Sequence, residues 1–252
     1  MSVEGRNDTL TQLKILFVID SLGTGGAERD LAEELPHLRR LGMVTVVASL
    51  RTRIEGVQAG LQEQGFDVRI LTGTGLIGRV AALRKIIGTE QPDLIQTVLF
   101  HSDIAGRLAA IGTSVKVISR LVNTDYDMVR LQDPNINIIR FRLARLIDGW
   151  TARHLTHHIY ANSNAVKTAA MRDLGIPAEK ITVIKEGRDA ERLGKPGIQR
   201  RDQARSRLGL EEGQKVLVTI GRQDFQKGQR YVLEAMAMIV SSHPHLVLLE
   251  HF

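Results

Sequence analysis

The stretch KILFVIDSLGTGGAE, residues 14–28, indicates the fold class of this chain. Residues 15–19 form a continuous apolar run, which is typical of a strand buried on both faces of a parallel sheet. The glycine-rich turn GTGG follows, and leucines then recur at helical spacing from Leu31 to Leu38. A strand, a glycine turn and a helix in this order predict an α/β unit.

The same alternation of apolar runs and helical patterns continues along the chain. Further strands are predicted at residues 43–50, 67–71, 93–99, 115–120, 158–161 and 181–184, with a helical pattern between most successive strands. The helix after the strand at 93–99 is predicted at residues 104–110. This order predicts an α/β fold with a doubly wound parallel Rossmann-like sheet.

The pattern restarts after a highly charged segment. A strand is predicted at residues 215–220, a helix at 228–240 and another strand from residue 246. One or two strands cannot form a core, so we expect an incomplete second Rossmann-like domain. The predicted organisation is a first domain at residues 1–190, a charged linker at 191–213 and a truncated second domain at 214–252.

Composition narrows the classes of function. Cysteine is absent among the 252 residues, which excludes a disulfide scaffold, an iron–sulfur site and a thiol nucleophile. The formal net charge of +6 favours anionic partners, while an aromatic content of 4% argues against nucleic acid. No apolar run approaches the roughly 20 residues that span a bilayer, and residues 1–8 lack the apolar core of a signal peptide. We therefore expect a cytoplasmic protein.

Two glycine-rich segments are candidate ligand sites. Gly23-Thr24-Gly25-Gly26 follows the first strand, where glycines let a ligand approach the backbone and a helix N-terminus attracts anions, so we favour ligand contact over a simple turn. Gly73-Thr74-Gly75-Leu76-Ile77-Gly78 matches the pattern GxGxxG, but it follows the third strand, whereas a dinucleotide site follows the first. We interpret this second segment as an ordinary loop.

Two charged pairs each allow two interpretations. Asp125 and Asp127 could share a divalent metal ion, although a solvated polar loop is favoured for so short a segment. Arg222 and Lys227 follow the strand at residues 215–220 and precede a helix, which is the expected position of a pyrophosphate site. From the chemistry alone, a solvated basic turn explains this second pair equally well.

The helical segment at residues 136–158 combines basic and apolar side chains. Its basic residues are Arg140, Arg142, Arg145 and Arg153, and its apolar residues include Ile138, Phe141, Leu143, Leu146, Ile147 and Trp150. A helix of this kind can lie on an anionic membrane surface, which would favour a lipid-linked acceptor. The favoured alternative is a helix packed into the core, with a solvated basic face.

Five motifs follow one another along nearly the whole chain. They are Ile19-Asp20-Ser21-Leu22 with Gly25-Gly26-Ala27-Glu28-Arg29, Phe100-His101 with Ala105-Gly106-Arg107, Ala161-Asn162-Ser163-Asn164-Ala165-Val166, Lys180-Ile181-Thr182-Val183-Ile184 with Gly187 and Asp189, and Gly221-Arg222 with Lys227-Gly228. Together they resemble the motifs of glycosyltransferase family four, a group of retaining glycosyltransferases of the GT-B fold. The resemblance implies two Rossmann-like domains around a cleft, transfer of a hexose with retention, no cofactor and no required metal.

The resemblance also implies substrates and site residues. The donor would be a nucleotide-diphosphate sugar, the acceptor a sugar or lipid-linked molecule, and the pathway polysaccharide or glycolipid biosynthesis. Arg222 and Lys227 would hold the donor diphosphate and stabilise the leaving group. Gly25, Gly26 and Glu28 would bind substrate in the cleft, and His101 would touch the sugar or orient a hydroxyl.

Two departures from the family pattern affect this interpretation. Lys185-Glu186-Gly187-Arg188 stands where the family has Pro-Asn-Gly and a hydrophobic residue, and the family's later pair of donor-binding glutamates has no counterpart. We therefore expect donor binding and transfer by this chain alone to be poor. Two alternative functions stay open: a non-catalytic α/β protein that binds nucleotide or a partner weakly, and a dinucleotide-dependent oxidoreductase that uses residues 73–78.

Overall fold

The computed structural model describes residues 13–71, 73, 75–188 and 190–251. The chain divides into two compact units between Gly187 and Arg188, and each unit has its own sheet. Residues 1–8, on which the prediction about a signal peptide depends, lie outside the described residues. So do Thr74 of the GxGxxG segment and Asp189 of the fourth motif.

The first unit alternates strands and helices as predicted. Its strands are β1 (Lys14–Ile19), β2 (Val44–Ser49), β3 (Asp67–Ile70), β4 (Leu94–Val98), β5 (Lys116–Leu121), β6 (His158–Ala161) and β7 (Ile181–Val183). Its helices are α1 (Gly26–Arg40), α2 (Gln58–Glu63), α3 (Gly75–Glu90), α4 (Phe100–Ala109), α5 (Ile138–Leu155) and α6 (Asn164–Leu174). The strand bounds agree with the predicted ones to within one residue at each end.

The strands of the first unit form one parallel sheet in the order β3-β2-β1-β4-β5-β6-β7. Chain order runs outward from β1 on one side and from β4 on the other, so the topological switch point lies between these two strands. Their register pairs Ile19 with Val98, the last residue of each strand. The predicted doubly wound parallel α/β fold is therefore confirmed.

Both faces of this sheet are covered, because successive side chains of a strand point to opposite faces. On β1, Leu16 and Val18 belong to one apolar cluster. Phe17 and Ile19 belong to a second cluster that includes Leu31 of α1. The continuous apolar run that opened the sequence is thus explained by burial on two faces.

A buried group of polar side chains links α4 to α5. Arg107 on α4 is fully buried, and its guanidinium lies 2.6 Å from Asp148 on α5 and 3.4 Å from Asp103. Tyr126 donates its hydroxyl to Asp148, and Thr97 donates its hydroxyl to Asp103. Burial raises the pKa of Asp103, and the positive charge of Arg107 offsets only part of this effect. The positive charge of one buried guanidinium, that of Arg107, therefore compensates two buried carboxyl groups in the first unit.

The second unit consists of α7 (Ala190–Leu193), α8 (Ile198–Arg207), β8 (Lys215–Ile220), α9 (Gln229–Ile239) and β9 (Leu246–His251). Helix α8 occupies ten residues of the segment predicted as a linker. Strands β8 and β9 pair in parallel, with Lys215 opposite Leu246. Val218 and Ile220 are 60% and 75% exposed, so within residues 190–251 this sheet lacks the cover that β1 has on both faces.

Candidate functional site

The carboxyl ends of β1 and β4 bring the predicted site residue His101 next to Asp20. Asp20 is the first residue after β1, and His101 lies in the first turn of α4, which follows β4. Ligands of open α/β sheets bind at the carboxyl ends of the strands, in the crevice at the switch point. This edge of the sheet is therefore the candidate site of the first unit.

Leu99 places His101 at this edge. It has a φ of 76°, in the region that favours glycine, and it turns the chain from β4 into α4 within one residue. Helix α4 consequently begins at Phe100, four residues before the predicted start at residue 104. A positive φ at a non-glycine residue costs on the order of 1–3 kcal/mol and occurs preferentially at functional sites.

Asp20 joins the two strand ends through both of its carboxylate oxygens. Its Oδ1 accepts hydrogen bonds from the backbone N–H and the Oγ of Ser102, at 2.8 and 2.7 Å. Its Oδ2 lies 2.9 Å from Nδ1 of His101. Burial by itself would raise the pKa of Asp20, but the hydrogen bonds from His101 and Ser102 outweigh it and lower the pKa. The carboxylate is therefore ionised at neutral pH and can only accept hydrogen bonds.

Arg51, two residues after β2, lies beside Asp20 and His101. Its Nη2 lies 3.2 Å from Nδ1 of His101 and 4.0 Å from Oδ2 of Asp20. The side chains of Arg51 and His101 are 43% and 48% exposed, so both can reach a ligand. Sequence reasoning missed Asp20 and Arg51 as site residues, because their proximity to His101 depends on the strand order. The available signals were their positions at the ends of predicted strands and, for Asp20, its place in the first family motif.

The glycine turn between β1 and α1 is supported by Glu28. The Oγ of Ser21 donates a hydrogen bond to Glu28 Oε1 at 3.1 Å, and the side chain of Glu28 is buried. A Cβ on Gly25 would lie 2.4 Å from Glu28 Oε2, so a side chain there would displace the carboxylate. At Gly26 a Cβ would have no atom within 4 Å. Glu28 thus stabilises the turn through its hydrogen bond with Ser21, while Gly26 leaves space for a ligand beside the backbone.

The GxGxxG segment is part of a helix start, which corrects its interpretation as an ordinary loop. Helix α3 begins at Gly75 and includes Gly78. A Cβ on Gly73 would lie 2.6 Å from the carbonyl carbon of Gly78, so the absence of side chains lets the preceding backbone pack against the helix. Gly73 and Gly78 therefore have a packing role, whereas Gly75 supplies the positive φ of 69° at the start of the helix.

Asp125 and Asp127 have separate protein partners. Asp125 pairs with Arg130 at 3.1 Å. Asp127 caps the 3₁₀ helix Met128–Gln132 by accepting a hydrogen bond from the N–H of Val129 at 3.1 Å. Among the described residues, no group of three or more His, Asp or Glu side chains is placed to hold a metal ion. Local structure thus accounts for both aspartates.

In the second unit, Arg222 and Lys227 lie on the turn between β8 and α9. Gln229 stabilises this turn, since its Nε2 donates hydrogen bonds to the carbonyls of Gly221 and Arg222 at 3.3 and 2.8 Å. The side chain of Lys227 lies against Gly221, where a Cβ would be 3.7 Å from Lys227 Cδ. Both cationic side chains are exposed at the carboxyl end of β8, next to the N-terminus of α9.

The fold of the first unit is that of the GT-B glycosyltransferases and their structural relatives. The chain is similar to Anabaena HepE, whose structure was solved in complex with UDP and glucose, with a TM-score of 0.74, 22% identity, and coverage of 94% of this chain and 60% of that chain. It is also similar to a glycosyltransferase from Rickettsia africae, with a TM-score of 0.67, 14% identity, and coverage of 96% and 69%. For sucrose-phosphate synthase from Thermosynechococcus elongatus, the TM-score is 0.67, the identity 13%, and the coverage 95% and 71%.

The family is identified from the sequence. The family model described as Glycosyltransferase Family 4 matches residues 24–192, which is more than half of the chain, and the chain belongs to this family. The predicted family is therefore confirmed. No curated protein sequence matches the chain significantly. The chain spans 60% of the length of HepE.

Proposed function

We propose that this protein transfers a hexose from a nucleotide-diphosphate sugar to a sugar or lipid-linked acceptor, with retention of the anomeric configuration. The observation that carries the proposal is the placement of the glycine turn and His101 together at the switch point. HepE, which shares the fold, was solved with UDP-glucose, and this supports a nucleotide-sugar donor. The proposed role lies in the synthesis of a polysaccharide or glycolipid in the cytoplasm.

In this proposal the charge on the leaving group is neutralised by side chains, without a required metal or cofactor. Arg222 offers paired donors to phosphate, and Lys227 offers a single concentrated charge. Both lie on a turn fixed by Gln229, so they need little reorganisation when negative charge develops on the departing diphosphate. Gly25, Gly26 and Glu28 shape the substrate side of the first unit, and His101 contacts a sugar hydroxyl.

The proposal is tested by assaying transfer with protein expressed from its complete reading frame. The protein is incubated with UDP-, GDP- and ADP-hexoses and a set of sugar and lipid-linked acceptors, in the presence of EDTA. Acceptor-dependent release of the nucleoside diphosphate is expected, and NMR of the product should show the anomeric configuration of the donor. Donor binding without transfer would instead indicate a binding protein, and turnover that depends on a nicotinamide cofactor would indicate the oxidoreductase.

We further propose that α5 rests on an anionic membrane. Its apolar residues Ile139, Leu143, Leu146 and Trp150 recur at intervals of three and four residues, which places them on one face. Ile139 is 74% exposed and Leu146 70% exposed, so this face is not packed into the core, contrary to the favoured interpretation of the sequence. No helix within the described residues is long and apolar enough to cross a membrane.

The other face of α5 explains why its apolar residues point outward. The residues of α5 buried in the unit are Asp148, Gly149, Thr151 and Ala152, which are polar or small. Arg145 and Arg153 turn towards α6, where they donate to the carbonyls of Asp173 and Leu174. Arg140 and Arg142 are exposed and are therefore available to anionic head groups.

Vesicle co-sedimentation tests the membrane proposal. Binding is expected to vesicles that contain phosphatidylserine, to weaken at high salt, and to be much lower for neutral vesicles. The double variant Leu143→Gln/Leu146→Gln should weaken binding by about 10- to 100-fold, because two large apolar side chains no longer enter the lipid. The control Ile77→Gln changes an exposed apolar residue on α3 and should bind like the unaltered protein. Binding that ignores lipid charge, or an equal loss in both variants, would contradict the proposal.

A further inference from the structure

The contact between Asp20 and His101 determines which nitrogen of the imidazole ring carries a proton. Oδ2 of Asp20 lies 2.9 Å from Nδ1, and an ionised carboxylate can only accept. Nδ1 must therefore be the donor in this contact. In a neutral imidazole ring, Nε2 is then the acceptor nitrogen.

Arg51 does not reverse this assignment, although its guanidinium also approaches the ring. Its Nη2 lies 3.2 Å from Nδ1, longer than the contact with Asp20, and a guanidinium can only donate. A nitrogen that gives its proton to Asp20 cannot accept one from Arg51. The positive charge of Arg51 instead faces Oδ2 of Asp20 at 4.0 Å, which favours the ionised carboxylate further.

Ser102 fixes the carboxylate so that it presents the same oxygen to the ring. Two donors from this residue, the backbone N–H and the hydroxyl, both converge on Oδ1 of Asp20. Because Ser102 follows His101 directly on α4, the ring and the carboxylate are held by one helical turn. The ring orientation is thus set before any ligand binds.

We propose that Asp20 is a positioning residue, which holds His101 in the Nδ1–H tautomer and presents Nε2 as the acceptor for a hydroxyl of the hexose. This role rests on the proposed function, since it specifies what His101 does in hexose transfer. The ring is 48% exposed at the switch point, so Nε2 can reach a ligand there. Asp20 itself is 16% exposed and acts through the ring.

The variant Asp20→Asn tests the proposal by reversing the tautomer. The two donors of Ser102 will keep the amide oxygen of the new side chain in the place of Oδ1. The amide NH₂ group then faces Nδ1 and forces this nitrogen to become the acceptor, so the proton moves to Nε2. A histidine in the wrong tautomer cannot accept from the sugar, and we expect kcat to fall by about 100-fold with little change in KM.

The tautomer is read by ¹⁵N NMR of the ring nitrogens in the labelled full chain, with His101→Gln used to assign the signals. The expected result is Nδ1–H in the unaltered protein and in Ser102→Ala, where the backbone N–H still holds Asp20, and Nε2–H in Asp20→Asn. An Nε2–H ring in the unaltered protein would overturn the proposal without any assay of activity. The measurement needs no substrate, so it separates a failure of this proposal from a failure of the proposed function.

Kinetics of the double variant distinguish positioning from a direct role. If Asp20 acts through the ring, Asp20→Asn should lower kcat no further in a protein that already carries His101→Gln. Full additivity of the two losses would overturn the proposal, because Asp20 would then touch the substrate itself. A kcat unchanged in Asp20→Asn despite a reversed tautomer would overturn it as well.

Discussion

Replacing Arg222 or Lys227 with Ala is expected to lower kcat/KM for hexose transfer by about 100- to 1,000-fold, which corresponds to about 2.7–4 kcal/mol of transition-state stabilisation. The reason is that both cations lie on one turn at the carboxyl end of β8, beside the N-terminus of α9, where a diphosphate is favoured. Their attraction for the leaving group grows as the bond to the sugar breaks. The loss should therefore appear in kcat as well as in KM.

The fold should be unaffected by these substitutions, because both side chains are exposed. Lys215→Ala is the matched control, since Lys215 is an exposed cation at the other end of the same strand. Steady-state kinetics of the three variants, with circular dichroism to verify folding, provide the measurement. If Arg222→Ala and Lys227→Ala retain the kcat/KM of Lys215→Ala, the turn does not bind the donor phosphates.

Strands were predictable from the sequence because their signal is local. A strand buried on both faces, such as β1, must be apolar at nearly every position, and a run of that kind is visible without knowledge of its neighbours. The start of α4 was not predictable in the same way. It depends on the positive φ of Leu99, which nothing in the side chain of a leucine indicates.

The candidate site was predictable only in part, for a related reason. His101 and the glycine turn were found because they follow predicted strands, and the fold places ligands at that edge. Their link through Asp20 depends on β4 pairing with β1 although β2 and β3 intervene in the chain. The outward apolar face of α5 was the less favoured of the two interpretations, because periodicity reveals an apolar face but not which face of the helix is buried.

What holds the polar face of α5 inside the unit is the pairing of Asp148 with Arg107. A fully buried guanidinium is favourable only when its charge is compensated, and here Asp148 and Asp103 share that role. Sequence reasoning noted Arg107 within a family motif and gave it no physical role. Its position suggests that it allows α5 to bury polar residues and so to keep its apolar residues exposed.

Replacing Arg107 with Leu is accordingly expected to destabilise the first unit by about 3–5 kcal/mol, because two buried carboxyl groups lose their counter-charge. The loss should shrink as the pH falls. Without the guanidinium, burial raises the folded-state pKa of Asp103 further. A group whose folded-state pKa is raised stabilises the fold below its unfolded-state pKa and loses this effect as the pH rises through the folded-state pKa. Urea denaturation at pH 5.5 and pH 8, followed by the fluorescence of Trp150, the one tryptophan of the chain, measures both effects.

The control for this experiment is Arg84→Ala. Arg84 is exposed on α3 and donates to the carbonyl of Ile111 at 3.1 Å, so its loss should change the free energy of unfolding by about 0.5 kcal/mol or less. The loss in free energy of unfolding for Arg107→Lys should lie between those of Arg107→Leu and Arg84→Ala, since the charge remains but the paired geometry does not. A loss for Arg107→Leu as small as that of the control, or one that is equal at the two pH values, would show that Arg107 does not balance the buried carboxyl groups. Because the exposed apolar face of α5 depends on that balance, Arg107→Leu should also weaken vesicle binding at pH 8 more than Arg84→Ala does.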